Sequence, residues 1–222
     1  MDTGPYAGGM TTGGTAGDGA GGAGGGASGT GGTGSTSGAG GTGGTGSTSG
    51  AGGTGSTGGA SGGGGGTGGE ARALGALTAS GLAFTVTRHG RVGSLAEAAA
   101  ARGVEPRDIV KTLVVRLGEG SFLFVLVPGD REISWPKLRA YLGVNRVSMP
   151  DAATALEVTG YERGTITPFG SSTAWPVLAD ATLAARGSVS IGAGAHGVAA
   201  TVDANEAMDA LGADVADVTD PS

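Results

Sequence analysis

The chain has 222 residues, with 52 glycines, 13 basic and 19 acidic side chains, two histidines, no cysteine and a formal net charge of −6. Without cysteine there are no disulfides, no thiol chemistry and no zinc–thiolate site, and two histidines are too few to argue for a histidine-based metal centre. The acidic balance argues against nonspecific nucleic-acid binding through bulk charge, while leaving room for a local basic patch over one groove. No run of 18 apolar residues predicts a membrane span, and the N-terminus lacks the basic and apolar regions of a signal peptide, so the cytosol is the expected compartment.

Residues 1–69 hold about two thirds of the glycines, and Asp2 and Asp18 are the only charged side chains before Glu70. Within them, Thr33–Gly44 and Thr45–Ser56 are a near-exact twelve-residue duplication. Such a segment has almost nothing to bury against the entropy cost of ordering, so a disordered extension is expected. Glycine does not recur at every third position, which excludes collagen. Residues 70–222 carry all the basic side chains and a net charge of −4, and are long enough for one compact domain with a real core.

Ala71–Ser80 reads as a short helix with Leu74 and Leu77 on one face, and Leu82–Thr87 as an alternating strand. Ser94 is placed to cap an alanine-rich helix, with Glu97 at the capping-box position and Gly103 as its stop. Asp108–Leu117 and Phe122–Val127 are predicted strands joined by a turn at Leu117–Gly120. The second is apolar at every position and so buried on both faces. Ser134 and Pro136 open another short helix carrying Leu138 and Leu142, and Asn145–Met149 is a brief strand. Asp151 caps Ala152–Val158, with Gly160 as the stop. Trp175–Leu178, Ser188–Ile191 and Gly197–Val202 read as strands, Ala181–Arg186 as a turn or short helix, and Asn205–Leu211 as a final helix before Asp214–Val218. Short strands mixed with short helices, without regular βαβ spacing, indicate an α+β domain around a central mixed, partly closed sheet.

Three features carry chemistry. Thr159–Gly170 packs glycines, Pro168, two aromatics and three threonines into a segment too constrained for a helix. It reads either as an ordinary turn or as a loop aiming backbone N–H groups at a ligand oxygen. Lys111 stands in a strand of Val and Leu neighbours. Its ammonium either snorkels to water or points into a pocket to hold a carbonyl oxygen or phosphate. Gly192–Gly197 follows a strand but precedes another strand, so it is a tight hairpin rather than a dinucleotide fingerprint. No nucleophile–base pair emerges: Ser171, Ser172 and Ser190 lack a GxSxG context, and neither His89 nor His196 shows a triad relation.

Taken in order, these pieces resemble the YbaK/EbsC family, free-standing relatives of the editing domain of bacterial prolyl-tRNA synthetases. The match runs from about His89 to Val218. It rests on Arg102-Gly103-Val104, Ile109-Val110-Lys111-Thr112-Leu113-Val114, Val125-Leu126-Val127-Pro128, Thr159-Gly160-Tyr161, Gly164-Thr165-Ile166-Thr167-Pro168-Phe169-Gly170 and Ser190-Ile191-Gly192-Ala193-Gly194 with Gly197. The resemblance implies an α/β barrel-like domain that hydrolyses the ester of a mischarged aminoacyl-tRNA, with no cofactor and no metal, and possible partnership with an aminoacyl-tRNA synthetase. The catalytic positions it implies are Lys111, Gly164, Thr165, Thr167 and Pro168, with Tyr161, Phe169, Ser190, Gly192, Gly194 and His89 around the substrate's 3′ end. Thr167 or Ser190 would hold water. Arg163 stands where many relatives have a glycine, and Ala195-His196 where many have Lys-Arg, changes that narrow the pocket and remove two cations. A non-catalytic binding module of the same fold is the alternative.

Overall fold

The strand Phe122–Val127 is buried at every position because its alternate side chains feed two separate cores. In the computed structural model, the described residues are 66–222, with side chains from residue 68, and they lie within one compact unit. The expected disorder of the glycine-rich extension concerns residues outside them up to residue 65. In chain order the elements are α1 (Gly66–Ala79), β1 (Phe84–Arg88), α2 (Leu95–Arg102), β2 (Val110–Gly118), β3 (Ser121–Pro128), β4 (Arg131–Ile133), α3 (Trp135–Leu142), α4 (Ala152–Thr159), β5 (Val177–Asp180), β6 (Ser188–Gly192), β7 (Val198–Asp203), α5 (Ala204–Ala210), β8 (Asp214–Ala216) and β9 (Thr219–Pro221). No helix among the described residues is long and apolar enough to cross a membrane.

The helix ends follow their sequence signals. Ser94 Oγ accepts from the Glu97 N–H at 3.1 Å, and the Glu97 carboxylate accepts from Gly93 N–H at 2.8 Å, a capping box displaced by one residue. Asp151 accepts from Thr154 N–H at 2.7 Å. Ser134 occupies the N-cap of α3 without bonding the helix, whose first turn is instead set by Pro136. At the other end of the chain's order, α1 starts at Gly66, earlier than Ala71, so the boundary expected at residues 69–70 falls inside a helix.

Strands β2, β3, β5 and β8 form a mixed sheet in that order, antiparallel between β2 and β3 and parallel thereafter. Strands β1, β7 and β6 form an antiparallel sheet, and β4 pairs with β9. The main core lies between the first two, where Val110, Val114, Phe122, Phe124 and Leu126 meet Val189, Ile191, Ala200 and Val202, with Ala73 and Leu77 of α1 and Met208 of α5. The opposite faces of β2 and β3 present Val115, Leu123, Val125 and Val127 to Leu138 of α3, Leu178 and Val218. Each such fully buried apolar side chain contributes roughly 1.5–3 kcal/mol, which explains why the buried stretch Phe122–Val127 is apolar throughout.

The expected mixed domain is observed, and of its barrel-like closure only a part: Ile109, just before β2, bridges Ser190 of β6 in parallel, and beyond it β6 pairs only with β7, so the barrel is not closed. One expectation is corrected. Asn145–Met149 is not a strand but a single antiparallel bridge of Ser148 with Arg116. The short strands β4 and β9, rich in charge, have no apolar alternation to betray them, and pair because a buried polar network fixes the chain there. Asp180 accepts from Thr182 N–H at 3.0 Å, Val218 N–H at 3.2 Å and Thr219 Oγ1 at 2.7 Å, while Arg131 Nε donates to Thr219 Oγ1 at 2.6 Å.

Candidate functional site

The cleft opens where β2 leaves β6. Between its bridges to Ser190 and Ser148, β2 has no neighbouring strand on its outer edge among the described residues, and Ile109–Val114 line a cavity of about 320 Å³. Arg116 exchanges both backbone hydrogen bonds with Ser148, at 2.7 and 3.2 Å. By the two-residue period of a strand, the backbone N–H and C=O groups of Val114 and Thr112 point the same way, toward the cleft. The facing wall is Arg163, Gly164, Ile166 and Gly192, and the rim is Leu95, Arg102 and Met149.

The loop that forms this wall is held from behind by α1. One terminal nitrogen of Arg72 donates to Gly160 C=O at 2.5 Å and its Nε to Gly170 C=O at 3.4 Å, so a single side chain ties both ends of the loop. The guanidinium lies 4.9 Å from the centre of the Tyr161 ring, whose hydroxyl donates to Phe169 C=O at 2.8 Å. Burial pushes the Tyr161 hydroxyl pKa up against the opposing effect of Arg72, which keeps it a neutral donor. Gly194, at φ +79, donates its N–H to Thr165 C=O and lies against the Gly69 carbonyl, where an added Cβ would stand at 2.3 Å. Only glycine permits that approach and that backbone.

Of the expected site residues, the structure brings Lys111, Gly164 and Gly192 together on the cleft wall. The Lys111 ammonium is held at its outer end, donating to Gly129 C=O at 3.1 Å and to Arg131 C=O. Burial lowers its pKa, opposed by the charges of Glu132 and Asp130. Thr165 shares the turn, but its N–H and hydroxyl are both spent on Glu162 C=O, at 3.0 and 2.8 Å. Gly164, at φ +90, therefore presents the loop's forward backbone. Tyr161 and Gly194 serve the loop's support as described, and neither lines the cleft. Pro168 and Phe169 line a smaller apolar space behind it with Val110, Thr112 and Met208. Thr167 and Ser190 are fully buried, and their hydroxyls, like that of Thr112, have no hydrogen-bond partner within the protein.

His89 lies in a second cavity of about 500 Å³ with Arg91, Arg102, His196 and Gly164, which shares Arg102 and Gly164 with the lining of the first. Arg102 Nε donates to His89 Nε2 at 3.3 Å, and His89 Nδ1 lies 2.8 Å from Gly90 C=O, which fixes the proton on Nδ1. The linings of the two cavities contain Arg91, Arg102, Lys111 and Arg163, both histidines and no carboxylate, on a chain of net charge −6. Beyond these linings, the Glu162 carboxylate lies 3.4 Å from His196 Nε2. Arg72 and Arg102 were missed as site residues by sequence reasoning. Arg72 acts across 88 residues of sequence on Gly160, with no local signal, whereas the Arg102-Gly103 helix end was visible as a motif. Among the described residues no three His, Asp or Glu side chains are grouped to hold a metal ion.

The fold and cleft define a small mixed α/β domain with a cation-lined pocket beside a glycine–proline loop. Residues 89–210 match the family model of the aminoacyl-tRNA editing domain, and the chain belongs to that family. It is 31% identical to a proline–tRNA ligase of Pelobacter propionicus over 121 residues, 54% of this chain and 21% of that protein. It is 45% identical to the ligase of Thermosipho africanus over 65 residues, 29% of this chain and 11% of that protein. The chain thus spans 11–21% of the length of these ligases. Among solved structures it is similar to a candidate trans-editing enzyme for prolyl tRNA synthetase, with a TM-score of 0.62 and 28% identity over 68% of this chain and 97% of that one. It is also similar to the hypothetical protein APE2540, with a TM-score of 0.62 and 29% identity over 67% of this chain and 99% of that one. The resemblance to YbaK-type editing domains read from the sequence is borne out.

Proposed function

We propose that the chain is a trans-acting deacylase that hydrolyses the ester of a mischarged aminoacyl-tRNA of the proline type, without a metal ion. The observation that carries this reading is the cleft between the β2 edge and the Gly164 loop, lined by cations and backbone and free of carboxylates, in a member of the editing-domain family. Water adds across the ester, releasing the amino acid and the 3′-terminal hydroxyl of the tRNA. The lining supplies charge stabilisation and positioning rather than a base, so the attacking water's proton is relayed through a held water or the vicinal ribose hydroxyl to the departing ester oxygen. The Gly164 N–H is the donor for the developing oxyanion, because Thr165 N–H is committed to the turn. Lys111, whose ammonium is held by two carbonyls, lines the cleft and orients the substrate's terminal nucleoside. The buried hydroxyls of Thr167 and Ser190 support water held behind the wall.

The commitment of Lys111 and Thr165 to internal carbonyls favours the second reading, a binding module for an aminoacyl or nucleotide-like ligand. Purified protein assayed against tRNAs charged with alanine, cysteine, serine and threonine separates the two. Deacylation of at least one is expected, with Lys111→Ala reducing the rate about a hundredfold, the loss typical of one preorganised donor. Binding without turnover on every substrate would leave the module reading in its place.

A further inference from the structure

We infer that Arg102, with Arg91 and the two histidine rings beside it, forms a phosphate subsite that takes the phosphodiester entering the terminal nucleoside of the substrate. The inference rests on the aminoacyl-tRNA reading for the identity of the ligand, though the subsite itself stands on geometry. Arg102 is half-buried in the last turn of α2 and is the residue at which three hollows meet. Burial lowers its pKa with no opposing carboxylate. Its Nε is committed to His89, an uncharged acceptor given the proton on Nδ1, and no acid pairs with it among the described residues. The acids in the hollow on its far side are already engaged, Glu105 with Arg107 at 2.7 Å and Asp108 with Arg186 at 3.7 Å. A partly desolvated cation lacking a counter-charge gains from an arriving anion what a solvated one does not.

The direction of the cleft says which anion. A nucleoside seated between β2 and the Gly164 loop has its reactive ester in the inner cavity, and the nucleic-acid chain must leave by an opening wide enough for it. The second cavity shares Arg102 and Gly164 with the first, and its lining carries Arg91, Arg102 and the two histidine rings without a carboxylate. Guanidinium terminal nitrogens suit the paired oxygens of a phosphodiester. Arg91 is exposed, unpaired by any acid among the described residues, and lines the same cavity, which makes it a second contact.

The test compares ligands that differ only in phosphate. Titration of the full chain with adenosine 5′-monophosphate and with adenosine, followed by NMR, is expected to show about tenfold tighter binding of the phosphorylated form, as for one charge-assisted contact. Arg102→Gln should remove that difference while leaving adenosine binding unchanged. Arg91→Gln, at an exposed position, should reduce it in part and guards against misfolding of the first variant. In turnover, Arg102→Gln should raise KM on an aminoacylated CCA trinucleotide about tenfold, with kcat little changed. Aminoacyl-adenosine, which lacks the phosphate, should be unaffected. The slope of log KM against log salt should fall by about 0.7, the value for one contact to a single strand. Equal binding of the two nucleosides, or equal effects of Arg102→Gln on both substrates, would overturn the subsite. If no aminoacyl ester is hydrolysed, the deacylase reading fails, and the two titrations still decide whether phosphate binds at Arg102.

Discussion

Gly164 concentrates the demands placed on the loop. Its φ of +90 lies in the region that side chains avoid, and a Cβ there would stand 3.4 Å from His196 Cε1, tight but not blocked by backbone. Gly164→Val is therefore expected to fold with a stability loss of roughly 1–3 kcal/mol from backbone strain. Its deacylation rate should fall by more than tenfold, because the added carbons enter the space of the ester. Comparison of the melting temperature with the rate checks this; a variant that unfolds outright would make the turn structural first. Lys111 shows why residue-scale reasoning reached only part of the site. A cation among Val and Leu was visible as an anomaly, and the structure puts Lys111 in the cleft lining with its ammonium on internal carbonyls. Its two carbonyl partners, Gly129 and Arg131, lie 18 and 20 residues on and come within reach only through the β2–β3 hairpin. Nothing in the local sequence announces such a pairing.

Among the elements, α1 does work that its sequence does not advertise. Of the predicted pair, Leu77 is fully buried while Leu74 is only partly so, with Ala73 buried beside them, but the consequence for the site runs through Arg72. Arg72→Leu removes two donors to loop carbonyls and the contact with Tyr161, with an expected cost of roughly 1–3 kcal/mol. Hydrogen exchange should speed up in residues 160–170 and remain slow in β3; unchanged exchange in the loop would show that Arg72 does not brace it. The pairing of β4 with β9 depends on Asp180, a fully buried carboxylate. Burial opposes its charge, but hydrogen bonds from Thr182, Thr219 and the Val218 N–H outweigh that and hold its pKa below the ordinary value. A depressed folded-state pKa stabilises above the unfolded-state value and is lost as pH falls through the folded-state one. Thermal stability should therefore drop in acid, below about pH 4, and Asp180→Asn should flatten that drop while lowering stability at neutral pH. These elements also mark the limit of pattern reading. Helices with caps and the long apolar strands were legible, since their signals are local. The three-residue strands and the open rather than closed sheet arise from pairings and a divergence set by distant parts of the chain.

At the scale of the molecule, the family match at 89–210 is shorter than the folding unit. It leaves out α1, β1, β8 and β9, and with them Leu77 and Val218, both fully buried. A chain trimmed to residues 89–210 is expected to fail to fold cooperatively, whereas residues 66–222 should melt at the temperature of the full chain. Calorimetry of the two fragments decides it. Cooperative melting of the shorter one would show that α1 is an accessory to the site rather than part of the core. Deleting residues 1–69 instead cuts into α1 and removes Gly69 from its place against Gly194, so the proper boundary lies before Gly66.

The open edge of β2 carries a risk as well as an opportunity. An unpaired strand flank normally invites another chain to pair with it and so to aggregate. Here the flank lines a cleft whose facing wall is the Gly164 loop and whose lining includes Arg102 and Arg163. On the deacylase reading proposed above, the guest at that flank would be a nucleotide end rather than another strand, and the hazard would become a filter.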